Sequence, residues 1–183
     1  MASDNIILIS IDERFAAALS EERLAAIARR VLEAESTPAC ELSIAVTDDE
    51  TVRALNREYA GEDAVTDVLS FSQREGEALV SPPEGVPPLG EVVIAYPQAE
   101  RQAAERTRHV SEGETLREPQ GERRWDATEG PVLRQAQGEW GWSVEREVEW
   151  LLVHGVLHLL GYDHAEPEEA RRMRTREEAL VNG

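Results

Sequence analysis

The sequence predicts one α+β domain of four strands packed by about five helices. Three observations carry this. Four short segments rich in isoleucine, valine and leucine lie between segments whose apolar residues recur at helical spacing. One segment near the C-terminus, Val148 to Leu160, is apolar on nearly all sides, as a helix inside a core must be. A chain of 183 residues with 41% hydrophobic residues can bury a core of its own, and a single domain commonly spans ~100–200 residues. The expected domain is therefore 1–183.

The elements follow in order. Asn5 to Ile11 is isoleucine-rich and reads as a first strand. Ser20 is an N-cap, with Glu21 and Glu22 placed where carboxylates favour the helix dipole. Leu24, Ile27, Ala28, Val31 and Leu32 carry the helix to about Glu35, and Thr37-Pro38 breaks it. Glu41 to Thr47 alternates around Leu42, Ile44 and Val46, the pattern of a half-buried strand. Asp48 or Asp49 caps a short helix bearing Val52, Leu55 and Tyr59. Asp67 to Ser72 and Leu89 to Ala95 are the third and fourth strands. Gln73 to Pro88, with four prolines, is a loop between them. Pro97 suits the first turn of the next helix, because its missing N–H would have no partner there. Ser143 starts the long apolar helix, and Gly161 ends it as a left-handed C-cap. A last helix, crowded with arginine, runs from about Pro167 to Leu180.

One stretch does not belong to this scheme. From about Arg106 to Gly141 the chain is polar, poor in large aliphatics and punctuated by glycine and proline. Leu116–Trp125 (LREPQGERRW) and Leu133–Trp142 (LRQAQGEWGW) match at six of ten positions. Two copies are too few to stack into a solenoid, and this composition offsets little of its ordering entropy. The segment 106–141 is expected to be an inserted, flexible surface excursion.

Composition excludes several classes. No apolar run approaches the ~18–20 residues of a membrane span. The first ten residues lack the basic and apolar regions of a signal peptide. Cys40 is the only cysteine, so neither an internal disulfide nor a cysteine metal cluster is available. Together these features predict a cytoplasmic protein with no membrane partner. The net charge is −18, and all 19 basic residues are arginine. Such a chain is a poor non-specific ligand for nucleic acid, so any contact with RNA needs a local arginine patch or a partner protein.

The chemistry lies near the C-terminus. His154 and His158 are four residues apart on the apolar helix, so both rings project from one face. Gly161 lets the chain turn back, and His164 follows. Three of the four histidines thus fall within eleven residues, in an otherwise aliphatic setting. Three buried imidazoles without a shared partner would leave costly unsatisfied nitrogens. A single zinc ion held by His154, His158 and His164 answers this, and three protein ligands with an open fourth position mark a catalytic site. Asp163 is either a turn residue or a group that orients an imidazole. Zinc peptidases of this spacing carry a glutamate base directly after the first histidine. Here that position is Gly155.

The run His154-Gly155-Val156-Leu157-His158-Leu159-Leu160-Gly161-Tyr162-Asp163-His164 resembles the signature of the YbeY family, bacterial rRNA maturation factors and single-strand-specific endoribonucleases. Asn56–Tyr59, Thr66–Phe71, Leu89–Ile94 and Ser143–Leu152 resemble the family's other blocks. The resemblance covers the chain apart from the polar stretch. It implies an α+β domain with a small mixed four-stranded sheet packed by helices, one zinc ion, and a role in 16S rRNA 3′-end processing and ribosome quality control. Single-stranded rRNA and the small ribosomal subunit or its assembly proteins are the implied partners. There are departures: Ser72 stands where the family usually has proline, and Ala60 stands where it commonly has an arginine linked to RNA cleavage. Arg57 is a nearby substitute, so the candidate catalytic residues are His154 and Arg57. Two alternatives stay open, a non-catalytic zinc-containing ribosome-biogenesis factor and a zinc hydrolase of another substrate such as peptides.

Overall fold

A computed structural model describes residues 5–73, 85–111 and 142–181. Its elements are β1 (Ile6–Ile11), α1 (Glu21–Ala34), β2 (Glu41–Thr47), α2 (Asp49–Leu55), a π-helical turn (Asn56–Ala60), β3 (Val68–Ser72), β4 (Pro88–Ala95), α3 (Tyr96–Ser111), α4 (Val144–Leu159) and α5 (Pro167–Val181). The sheet order is β1-β2-β4-β3. β1 pairs parallel to β2 and β2 parallel to β4, while β3 pairs antiparallel to β4. The expected mixed four-stranded sheet with five helices is the fold observed.

The helix starts are where the side chains that cap them place them. Ser20 accepts the amide of Arg23, Asp48 that of Thr51 and Ser143 that of Arg146. Each satisfies a donor that the first helical turn would otherwise leave orphaned. Alternation then sorts the strands into two faces. On the first, Leu42, Ile44, Val46, Val92 and Ile94 are buried beneath α1 and α4 and form one large core with Leu24, Val31, Leu151, Leu152 and Leu157. On the second, α2 covers only a small cluster of Val52, Val93 and Ala95, with Leu55, Leu69 and Phe71 packed against it. β4 is apolar on both faces because it lies inside the sheet with helices on either side.

The expected polar stretch begins inside α3, which continues to Ser111. Arg106 donates from Nη2 to Oε1 of the fully buried Glu147 at 3.1 Å, and its guanidinium lies 5.3 Å from the Trp142 ring and 5.0 Å from the Trp150 ring. Trp142 donates its amide to the Thr107 hydroxyl at 2.9 Å. Burial pushes the Glu147 carboxyl above its ordinary range, against the pull of Arg106 and Trp142. These contacts bind the end of α3 to the start of α4. Residues 112–141, which hold the rest of the expected insertion and both copies of its repeat up to Trp142, lie outside the described residues. Among the described residues, no helix is long and apolar enough to cross a membrane.

Candidate metal centre

α4 sits in the middle of the core, and its burial decides what the histidines can do. His154 is buried and His158 partly so. Their Nε2 atoms are 3.0 Å apart. His164 joins them from the loop after the helix, with ring centroids 5.9 Å from His154 and 5.0 Å from His158.

The loop gets there by a defined helix ending. Gly161 has φ +91°, and its amide bonds the His158 carbonyl at 2.9 Å. The Tyr162 amide bonds the Leu157 carbonyl at 3.0 Å. This pair of bonds is a Schellman ending, which needs a left-handed residue after the cap and so favours glycine. The Asp163 carboxylate accepts the backbone amide of His164 at 2.7 Å, a bond that holds its carboxyl below the usual range. Asp163 therefore fixes the turn.

The imidazole partner is Glu177 on α5. Its Oε1 lies 2.6 Å from His154 Nδ1, with both side chains buried. A proton on Nδ1 turned toward this carboxylate leaves the Nε2 lone pair facing His158. His158 is pushed down to about 4, first by burial and then by the neighbouring histidines. Its ring is neutral, as a metal ligand must be, throughout the neutral range.

One ligand atom from each of the three histidines lies within 4.8 Å of the others. Two nitrogens on a tetrahedral ion at ~2.0–2.1 Å stand about 3.3 Å apart. The cluster is of that size and could hold a metal ion, and an all-imidazole donor set suits zinc and its neighbours among the transition metals. Cys40 takes no part; it is buried beside Asn5 at the start of β1.

Gly155 explains the missing glutamate. A Cβ here would sit 2.6 Å from Val92 Cγ1 and 3.1 Å from Ser70 Oγ. The Ser70 hydroxyl also donates to the Gly155 carbonyl at 3.1 Å. At this point α4 presses so closely against the sheet that a larger residue enters only if Val92 or the helix shifts, which disfavours a peptidase-type glutamate here.

The other sequence candidates are more scattered. Arg57 is exposed on the π-helical turn, which packs with α2 over the second face of the sheet. Its charge acts on Asp63, and among the described residues no hydrogen bond or ring contact joins it to the histidines. Ala60 ends the same turn. Glu177 escaped the sequence reading because it sits in a helix of charged residues. The signal was its spacing: Met173, Glu177 and Leu180 are the buried residues of α5, one carboxylate on an apolar stripe.

Known proteins similar to this chain show its family. The family model described as Endoribonuclease YbeY matches residues 10–116 and 131–183, passing over 117–130. An Endoribonuclease YbeY of Pelotomaculum thermopropionicum is 37% identical over 174 residues, covering 94% of this chain and 88% of the relative. One from Chloroflexus aurantiacus is 36% identical over 176 residues, covering 94% of this chain and 91% of the relative. A Thermotoga maritima protein solved in solution shares the fold, with a TM-score of 0.53 at 18% identity over 97% of this chain and 87% of that one. Matched over most of its length, this chain belongs to the Endoribonuclease YbeY family.

Proposed function

We propose that this protein is a zinc-dependent endoribonuclease that cleaves single-stranded rRNA, acting in 16S rRNA 3′-end maturation and ribosome quality control in the cytoplasm. The observation that carries the reading is the convergence of three imidazoles, His154, His158 and His164, at the end of a buried helix, in a chain whose relatives are named endoribonucleases. The small ribosomal subunit or its assembly proteins are the proposed partners, since an acidic chain needs help to approach RNA.

When bound, zinc supplies a Lewis acid at the scissile phosphodiester. The chain does the rest. His154, His158 and His164 would hold the ion through their ring nitrogens. Glu177 accepts a hydrogen bond from His154 Nδ1–H and so keeps its Nε2 free. Asp163 shapes the turn that delivers His164. Negative charge gathers on the phosphate in the transition state, and a guanidinium placed there lowers the barrier. Arg57 is the proposed donor in place of an arginine at position 60.

Gly155 weighs against peptide hydrolysis, because the close sheet disfavours a glutamate at this position. Ala60 is the one feature favouring a non-catalytic factor with a structural ion. Incubating the purified protein with single-stranded rRNA, with and without a chelator, tests all three. Chelator-sensitive cleavage is expected. A zinc-loaded protein that leaves the RNA intact would sink the nuclease reading, and elemental analysis with less than one zinc per chain would sink the metal.

A further inference from the structure

Two neighbouring residues of α5 grip the two halves of the histidine cluster. Glu177 meets His154 on the helix directly, at 2.6 Å. Arg176 reaches the loop half through a relay. Its Nε donates to one oxygen of Glu35 and its Nη2 donates to the Ala34 carbonyl at 2.8 Å. The other Glu35 oxygen accepts the Tyr162 hydroxyl at 2.8 Å. Tyr162 lies two residues before His164. One carboxylate at the end of α1 thus ties α5 to the loop that carries the third imidazole.

Both arrangements have a physical cost that a bound cation would repay. Glu177 is a buried carboxylate between Met173 and Leu180, an expensive place for a charge without a counter-charge. His154 alone gives it one polar contact, whereas a divalent ion across the ring gives it an opposite charge. The tether acts where the Schellman bonds end, at Tyr162, and adds to the local turn that Asp163 makes with the His164 amide. The Tyr162–Glu35–Arg176 relay sets the direction of the next residues.

We propose that α5 is the positioning element for the metal. Glu177 sets the tautomer of His154 and places a carboxylate behind its ring, and Arg176, through Glu35 and Tyr162, sets the reach of His164. This rests on the metal reading above. The two arms differ in kind. The Glu177 arm is electrostatic and acts on the strength of one ligand. The Tyr162 arm is steric and acts on whether the third ligand is in place.

The test is zinc affinity of the full chain, measured by chelator competition, with thermal unfolding of the zinc-free protein alongside. Glu177→Ala should weaken zinc by about 10–100-fold, the usual effect of losing the partner of a ligating histidine. Glu177→Gln keeps an acceptor for Nδ1 without the charge, and should recover part of the loss. Tyr162→Phe removes one hydroxyl and no charge, and should weaken zinc by up to about tenfold. If native protein takes up no zinc, the metal reading fails and this one with it. If native protein binds zinc and Glu177→Gln and Glu177→Ala match it, the electrostatic arm is overturned while the metal reading stands. Native affinity in Tyr162→Phe overturns the loop arm in the same way. Should Glu177→Ala fail to fold, Glu177→Gln decides: affinity equal to native refutes the role of the charge.

Discussion

On one face of the sheet, Leu42, Ile44, Val46, Val92 and Ile94 disappear beneath α1 and α4, and with them lies the histidine cluster. On the other face, the same strands present Ser10, Ala45, Thr47, Glu91 and Phe71 to an open cleft of about 610 Å³, roofed in part by α2 and the π-helical turn. Among the described residues, Ile6, Leu8 and Tyr59 remain largely exposed, Tyr59 at 66%. The strands are shared, so the difference comes from the helices laid on them. α4 is apolar nearly all round and can be covered on every side. α2 is short, with Val52 its only buried residue. The comparison teaches where this molecule keeps its rigidity: the three clustered imidazoles are on the face where packing is tightest, and Arg57 and Ala60 are on the looser one.

The contrast can be broken most violently from the closed face. Trp150 is buried, stacks on His154 at 5.5 Å and has the Arg106 guanidinium 5.0 Å from its ring. Trp150→Ala should cost about 3–5 kcal/mol in denaturant unfolding of the zinc-free protein. A loss under 1 kcal/mol would mean that the closed face tolerates cavities like a surface. Gly155→Ala is expected to be milder, about 1–3 kcal/mol, because α4 or Val92 must shift to admit the methyl group. Unchanged stability together with unchanged zinc content would show that the helix is not pressed on the sheet.

The open face should respond in function more than in stability. Ala60→Arg is expected to speed single-turnover cleavage of a single-stranded rRNA fragment about tenfold, equivalent to ~1.4 kcal/mol of barrier. Should it gain nothing while Arg57→Ala loses most activity, Arg57 already fills the role. Asp48→Ala removes the cap of α2 and should cost ~1 kcal/mol. A hydrogen bond from the Thr51 backbone, then Arg14, holds the Asp48 carboxyl at about 2, below its ordinary 3.8. Its contribution is therefore complete above about pH 4 and lost as pH falls toward 2. The variant's stability should decline less steeply over that acid window; an unchanged slope would refute the assignment. Leu8→Ser, at an exposed site of β1, should stay within about 0.5 kcal/mol of native in the same unfolding assay.

Much of the molecule was legible because its signals are local. Strand alternation, the capping residues Ser20, Asp48 and Ser143, and the ending at Gly161 are each set within a few neighbouring residues. So is the convergence of His154, His158 and His164, since one helix and one tight turn bring them together. Where the reading stopped short, the partner lay far along the chain. α3 runs past Arg106 because Arg106 and Thr107 meet Glu147 and Trp142, 41 and 35 residues away.

By itself, then, the amino-acid sequence determined the order of strands and helices, the two-faced alternation of the sheet and the convergence of three imidazoles, because periodicity, capping and turn chemistry act over one or two turns of chain. Only the tertiary structure decided which carboxylate meets His154, since Glu177 is 23 residues away and Asp163 is next to His164. It alone joined Glu35 to Arg176 across 141 residues, and pressed Gly155 against Val92. The physical reason is the same in each case: a buried charge or a close approach takes its partner from whatever packing brings within reach, and packing brings together residues that no local pattern connects.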